Sequence, residues 1–194
     1  MIIGITGGIG CGKSVVSKII DLMGFPVYDS DSNAKRITDE SDKIRKELIA
    51  RFGIEIYEGT RLNRKLLAKK IFTDEQNCTF VNELIHPVVL ADFLQWSEIQ
   101  LKKSNIVFIE SAILFESGFY KYVDKILLVT SPQDLRIERI KKRDNITIEE
   151  IKERLQSQIS QEYLSEKADF IIQNDEKKSL LKQISTLFQL DYNF

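Results

Sequence analysis

A single histidine, His86, stands in a chain of 194 residues. That excludes any metal site built from several imidazoles. The two cysteines, Cys11 and Cys78, have neither metal-type spacing nor the density of a disulfide framework. A cytosolic protein with free thiols is the simplest reading. The three prolines, Pro26, Pro87 and Pro132, each fall beside an expected element boundary. No apolar run approaches the roughly 18 residues that a spanning helix needs. Met1–Thr6 is apolar, but no basic stretch precedes it and glycines follow at once. It therefore reads as a buried strand rather than a signal peptide. Neither sign of charge is in excess: Lys+Arg is 28, Asp+Glu is 29, and the net charge is −1. That balance argues against a protein that coats nucleic acid or an anionic membrane. Internal repeats and low-complexity linkers are absent as well.

What is present belongs to a globular α/β protein. Apolar residues make up 43% and charged residues 29%. Short β-branched runs occur at Ile2–Thr6, Val27-Tyr28, Ile106–Ile109, Ile126–Thr130 and Phe170–Ile172. They are continuous rather than alternating, as strands buried on both faces are. Helical periodicity fills Ser14–Met23, Ser41–Phe52, Arg64–Phe72, Glu75–Ile85, Val88–Lys103, Pro132–Arg143, Thr147–Ser157 and Lys177–Gln189. Alternating strands and helices predict a parallel sheet covered on both faces. About 75 residues separate Asp29 from Ile106, far more than a simple crossover needs. That stretch has no convincing strand and reads as a helical subdomain inserted between two sheet strands, placed to hold a second substrate.

The strongest motif is Gly7-Gly8-Ile9-Gly10-Cys11-Gly12-Lys13-Ser14, which satisfies G-x-x-x-x-G-K-[ST] at every fixed position. A buried strand precedes it, and an amphipathic helix with Val15, Val16, Ile19, Ile20 and Met23 follows. Glycines let successive backbone N–H groups turn inward around a phosphate. The helix start adds its positive dipole end. Lys13 is a point charge for the β- and γ-phosphates, and the Ser14 hydroxyl is a ligand for Mg²⁺. The loop identifies a nucleoside triphosphate but not the reaction.

No Asn-Lys-x-Asp is present for guanine. The strand Ile106–Ile109 runs into Glu110-Ser111, where the carboxylate is either a Mg²⁺ or water-shell ligand or an ordinary strand-end acid. After the second strand come Asp29 and Asp31. A base that orients an acceptor hydroxyl is needed at such a place. The alternative is that Asp31 or Ser32 caps the following helix. Arg136, Arg139 and Arg143 fall within about 60° of one another on a helix. Such a face either clamps phosphates or is a solvated face paired with acids such as Glu138.

With these residues assembled, the sequence resembles the dephospho-CoA kinase family along essentially its whole length. Thr6–Ser14 looks like that family's TGGIGSGKS loop, and Tyr28-Asp29-Ser30-Asp31 sits where it has D-A-D. Phe52-Gly53, Leu62-Asn63-Arg64, His86-Pro87 and Leu114-Phe115-Glu116 follow in order. Arg136, Arg139, Arg143-Asp144, Gln158, Ala168-Asp169 and Asn174 complete it. The resemblance implies transfer of the ATP γ-phosphate to the ribose 3′-hydroxyl of dephospho-CoA, the final step of coenzyme A biosynthesis. It implies a three-layer P-loop NTPase fold with a five-stranded parallel sheet. Residues 1–30 and 105–194 would form the kinase core, with lid helices over 132–165, and 31–104 the helical substrate-binding insert, in one compact unit overall. Lys13, Asp31 and Arg139 would be catalytic. Gly8, Gly10, Cys11, Gly12, Lys13, Ser14, Val15, Arg136, Arg143 and Asn174 would bind ATP, with Mg²⁺ on Ser14. Asp29, Asp31, Arg64 and His86 would bind dephospho-CoA. His86 precedes a proline and is expected away from helix, where its other reading is a polar anchor for a turn. The implied partner is the small-molecule substrate, with no nucleic acid or membrane, for a cytoplasmic monomer or weak homo-oligomer.

Four departures stand out. Cys11 replaces a loop serine, which introduces oxidation sensitivity. Val15 replaces a common threonine and removes a hydroxyl that could touch the α-phosphate. Ala112-Ile113 replaces Pro-Leu, which loosens a turn near the acceptor. Asn63 replaces Asp before Arg64 and removes an expected charge partner. Two other functions compete with the leading one: a kinase of nucleosides or nucleoside monophosphates, and a nucleotide-binding regulatory module with little turnover. The Asp29/Asp31 pair and the arginines argue against the module, because a sensor needs no acceptor base.

Overall fold

The computed structural model describes residues 1–72, 74–144 and 146–191. Residue 145, in the expected lid range, and residue 73, in the expected insert, lie outside the described residues. In chain order the elements are β1 (Ile2–Thr6), α1 (Lys13–Leu22), β2 (Val27–Asp29), α2 (Ser30–Glu40), α3 (Asp42–Phe52), β3 (Tyr57–Glu58), β4 (Arg61–Leu62), α4 (Arg64–Phe72) and α5 (Glu75–Leu101). They continue with β5 (Val107–Glu110), β6 (Lys125–Thr130), α6 (Gln133–Asp144), α7 (Ile148–Gln156), α8 (Gln161–Lys167), β7 (Phe170–Gln173) and α9 (Leu180–Asp191). Two compact units result. One comprises Met1–Tyr28 and the chain from Ile99 onward, and the other Asp29–Glu98.

The first unit is a five-stranded parallel sheet in the order β2-β5-β1-β6-β7. β1 lies at its centre and pairs in parallel with β5 and β6. Burial on both faces explains the continuous apolar runs of β1, β5 and β6, whereas β7 at the edge leaves Ile171 exposed, against expectation. Ile3, Ile5, Val16, Ile20, Phe108, Leu127, Ile172 and Ile184 form the core. Each fully buried aliphatic side chain contributes about 1.5–3 kcal/mol. Phe25 stacks on Phe188 of α9 at 4.4 Å, and Phe108 meets both rings edge-on. Val16 and Ile20 carry the buried face of α1, whereas Val15 is 51% exposed. The amphipathic set expected from the sequence is thus narrower by two: Val15 turns toward solvent beside Ser14, and Met23 is exposed at the end of the helix.

The second unit is mainly helical. Its buried residues include Ile37, Ile44, Leu48, Ile56, Tyr57 and Leu67. It contains a small hairpin in which β3 pairs antiparallel with β4, where the sequence suggested no strand. Two residue pairs are too short for an alternating pattern to register, and the left-handed Gly59, φ 64°, makes the turn. Helix α2 shows in the sequence only as the helix that Asp31 or Ser32 would cap, because its buried face carries just Ser30, Ile37 and Thr38. Helix α8, in the first unit, escaped notice for the same reason, with Leu164 alone buried.

Pro87 is a clearer correction. The expected boundary there does not exist, and α5 runs through it for 27 residues. Proline forfeits one i→i−4 bond, at a cost of about 3 kcal/mol in a helix interior. Here Pro87 and Glu83, whose carbonyl loses its donor, both face solvent. Burial of Val81, Val89 and Phe93 on the other face offsets the loss. No helix among the described residues is long and apolar enough to cross a membrane.

Asp169 ties the starts of β6 and β7 together. Its carboxylate accepts from the Ile126 N–H and the Lys125 ammonium, both at 2.8 Å, and its own N–H donates to the Ile126 carbonyl. Burial pushes the carboxyl up, but the Lys125 and Ile126 bonds outweigh it and hold its pKa below the ordinary value. A depressed folded-state pKa stabilises above the unfolded pKa, and that contribution is lost as pH falls through the folded value. Asp169→Asn should therefore cost about 1 kcal/mol at neutral pH. In urea unfolding, its deficit relative to the parent should shrink as the pH drops below about 4.

Candidate active site

The sequence between β1 and α1 leaves the sheet and wraps back on itself. Gly10 and Gly12 hold φ of 79° and 89°, a region that L side chains enter at a cost. Space forbids a side chain too. A Cβ on Gly10 would lie 2.8 Å from the Arg136 carbonyl, and one on Gly12 would strike the Asn174 amide nitrogen.

Five consecutive carbonyls of this loop each accept a hydrogen bond. The Lys13 ammonium donates to Gly7 O at 2.7 Å and to Gly8 O at 3.3 Å. Arg136 Nε donates to Ile9 O at 2.9 Å, Arg139 Nη1 to Gly10 O at 3.3 Å, and Asn174 Nδ2 to Cys11 O at 2.9 Å. With these oxygens held by donors, the loop's N–H groups are left for an anion, except those of Ile9 and Cys11, which donate to Gln158 Oε1 and Gly8 O. Helix α1 starts at Lys13 with no side-chain cap and no acidic residue in its first turn. Its first N–H groups therefore have no intrahelical partner, and the positive dipole end is unquenched.

The three arginines of α6 part company. Arg136 is half-buried over Gly8, and its hydrogen-bond acceptors are neutral, Ile9 O and Gln158 Oε1. Burial pulls its pKa below the ordinary arginine value, and Cys11 only partly offsets that. It stays cationic at neutral pH. Arg139 bonds Gly10 O, the Ser131 hydroxyl, Asn174 and the Glu176 carboxylate. Its acid partner is Glu176, not the Glu138 suggested by spacing. Arg143 lies out at the surface on Asp144, with bonds of 2.7 and 3.1 Å, and Arg154 shares that carboxylate. The Asp144 bond raises the Arg143 pKa. Two of the three arginines meet the loop.

Asn174, 8% exposed, is built into the frame. Its N–H bonds Thr130 O, and its carbonyl accepts from the Ser131 hydroxyl at 2.8 Å. Cys11, 1% exposed, belongs to the apolar core, so burial shields the thiol whose oxidation its sequence position suggested. Ser14 is exposed on the first turn of α1. Among the described residues, no three His, Cys, Asp or Glu side chains form a cage. One protein hydroxyl beside phosphate oxygens is a donor set that suits Mg²⁺, which keeps most of its water.

The remaining sequence candidates belong to the second unit. Asp29 is the cap of α2, accepting from Ser32 N at 3.0 Å and the Ser32 hydroxyl at 2.5 Å. Asp31 is therefore not the cap; it lies exposed in the first turn, where a carboxylate complements the dipole. Arg64 bonds Lys35 O, the Thr38 hydroxyl and the Asp39 carboxylate at 2.9 Å. Burial raises the Asp39 pKa, but the Leu62 N–H and Arg64 outweigh it and leave it lowered. Asn63 does not leave Arg64 without a charge partner, as the sequence suggests; it caps α4 by accepting from Leu66 N at 3.0 Å. The partner of Arg64 comes from α2. His86 sits inside α5 and not at a turn, and burial alone lowers its pKa, which favours the neutral imidazole.

Sequence reasoning missed the parts played by Ser131, Gln158 and Glu176. Gln158 Oε1 accepts from Ile9 N at 2.8 Å, a contact across nearly the length of the chain that no local pattern announces. The dephospho-CoA kinase family model matches residues 1–179. A curated dephospho-CoA kinase from Bacteroides fragilis is 46% identical over 190 residues, covering 98% of this chain and 92% of that one. A crystal structure of TT1252 from Thermus thermophilus superposes with a TM-score of 0.85 at 29% identity, over 100% of this chain and 98% of that one. Dephospho-CoA kinase from Campylobacter jejuni gives 0.73 at 30% identity, over 97% and 95%. Phosphate loop, sheet order and whole-length similarity converge, and the chain belongs to the dephospho-CoA kinase family.

Proposed function

We propose that this chain moves the γ-phosphoryl group of ATP to the ribose 3′-hydroxyl of dephospho-CoA, with each residue acting as follows. The N–H groups of Gly8–Ser14 other than those of Ile9 and Cys11, with the start of α1, hold the phosphates. Lys13 bridges the β- and γ-phosphates. Ser14 would hold Mg²⁺, which on binding shields the charge between those two phosphates. Arg136 and Arg139 face the charge that spreads over the transferring group. Asp31 orients the 3′-hydroxyl and accepts its proton. The 3′ oxygen forms the new P–O bond as the bond to the ADP oxygen breaks. The transition state is loose, so an ordinary carboxylate suffices as base. Asp29 fixes the first turn that carries Asp31, and the Arg64–Asp39 pair braces the acceptor region around α2.

The observation that supports an anionic phosphoryl group beside the loop is Arg136, a half-buried cation whose hydrogen-bond acceptors are neutral. Burying such a charge is costly, and an anionic phosphoryl group would compensate it. ADP release from ATP and Mg²⁺ should depend strictly on dephospho-CoA, with a product one phosphate heavier by mass. Acceptor-independent release, or an unchanged mass, would sink the assignment. Asp31→Asn should lower kcat by about 10²–10⁴-fold while ADP titration stays unchanged; a near-normal kcat would remove Asp31 as the base. Arg139→Ala should reduce kcat more than it raises the KM for ATP. Equal KM and kcat to the parent would return that arginine to a structural part.

A further inference from the structure

Glu176 holds a backbone conformation that its residue type does not favour. Its φ is 62°, and it is the one non-glycine residue with positive φ among those described. Glutamate has no special tolerance for the left-handed region, where glycine, asparagine and aspartate are the usual occupants. Neighbouring Asp175 makes the local turn, accepting from Lys177 N and Lys178 N at 3.0 and 2.8 Å. That turn leaves the Glu176 side chain directed to Arg139, with Oε1 2.8 Å from Nη2. Strained positions of this kind concentrate at ligand sites.

The partners of Arg139 differ in what they can do. Gly10 O, Ser131 and Asn174 are part of the loop and strand frame and cannot leave without disturbing it. Glu176 can: its side chain is 62% exposed, against 25% for Arg139. Among the described residues it is also the only carboxylate on that guanidinium. A phosphoryl group approaching Nη2 meets a like charge already paired there. We propose that Glu176 is a positioning residue that competes with ATP for Arg139, so that the arginine is drawn to the transferring group only as this ion pair gives way. The inference rests on the reading of Arg139 as a phosphoryl contact.

The test is a double-mutant cycle on the full chain with Glu176→Gln, Arg139→Ala and the pair, scored by kcat/KM for ATP at saturating dephospho-CoA and by calorimetry with a non-hydrolysable ATP analogue, which keeps the γ-phosphoryl group. Glu176→Gln keeps an acceptor oxygen and removes the charge. It should raise kcat/KM and tighten the analogue by about two- to fivefold, the range of an exposed ion pair. The gain should shrink at high salt, where the parent's pair is screened, and vanish in the Arg139→Ala background. Glu176→Gly, which also relieves the left-handed backbone, should match that gain with a melting temperature no lower than the parent's. An unchanged or lower kcat/KM in Glu176→Gln overturns the proposal, as does a gain that survives without Arg139. If Arg139→Ala alone leaves turnover and affinity for the ATP analogue at parental values, the underlying reading of Arg139 fails first. The analogue titration needs no acceptor, so it separates this outcome from an error in the acceptor's identity.

Discussion

Everything the phosphate loop can do depends on where its carbonyls go. A loop of five peptides could turn either its oxygens or its N–H groups toward a ligand, and only the second arrangement binds an anion. In this protein the oxygens of Gly7 to Cys11 are taken by one lysine, two arginines and one asparagine. The lysine comes from the loop itself, but the other three come from α6 and the end of β7. The order β2-β5-β1-β6-β7 places β6, which leads into α6, directly between β1 and β7. The sheet topology is thus what brings these donors to the loop.

The same bonds explain why neighbouring arginines on one helix differ in chemistry. Arg136 is half-buried on neutral acceptors. Arg139 divides its charge between the loop frame and an exposed carboxylate. Arg143 is one further turn along, beyond the loop, and is satisfied by Asp144. A count of basic residues on a helix face treats them alike. Burial and partner charge separate them, because a guanidinium already on a carboxylate in water has little to gain from a second anion.

Much of this was legible in the chain itself. All five sheet strands were recognisable, since continuous β-branched runs have few other homes. Thr147 and Glu150 make the capping box that begins α7. The structure departed from the sequence where local rules lose to tertiary ones. Pro87 continues a helix because its missing bond opens to solvent while the opposite face is buried. Helices α2 and α8 were obscure because each buries so little. Asn63 looked like the loss of a charge partner, yet it is a cap, and Arg64 finds its acid 25 residues away on Asp39.

By itself the sequence determined the class of ligand. Glycines at the left-handed positions, a lysine and a serine in register after a buried strand specify a phosphate loop through short-range geometry, and short-range geometry is written in consecutive residues. It also determined the alternation of strands and helices, since periodicity is local. Only the tertiary structure decided which cations attend the loop, that Asp29 rather than Asp31 caps α2, that Cys11 is sealed in the core, and that Glu176 bends backward to reach Arg139. Each of these turns on a burial or a hydrogen bond that exists only once the elements have packed. The geometry of a polar contact is settled by the three-dimensional neighbours that compete for it, and no window of the sequence contains them.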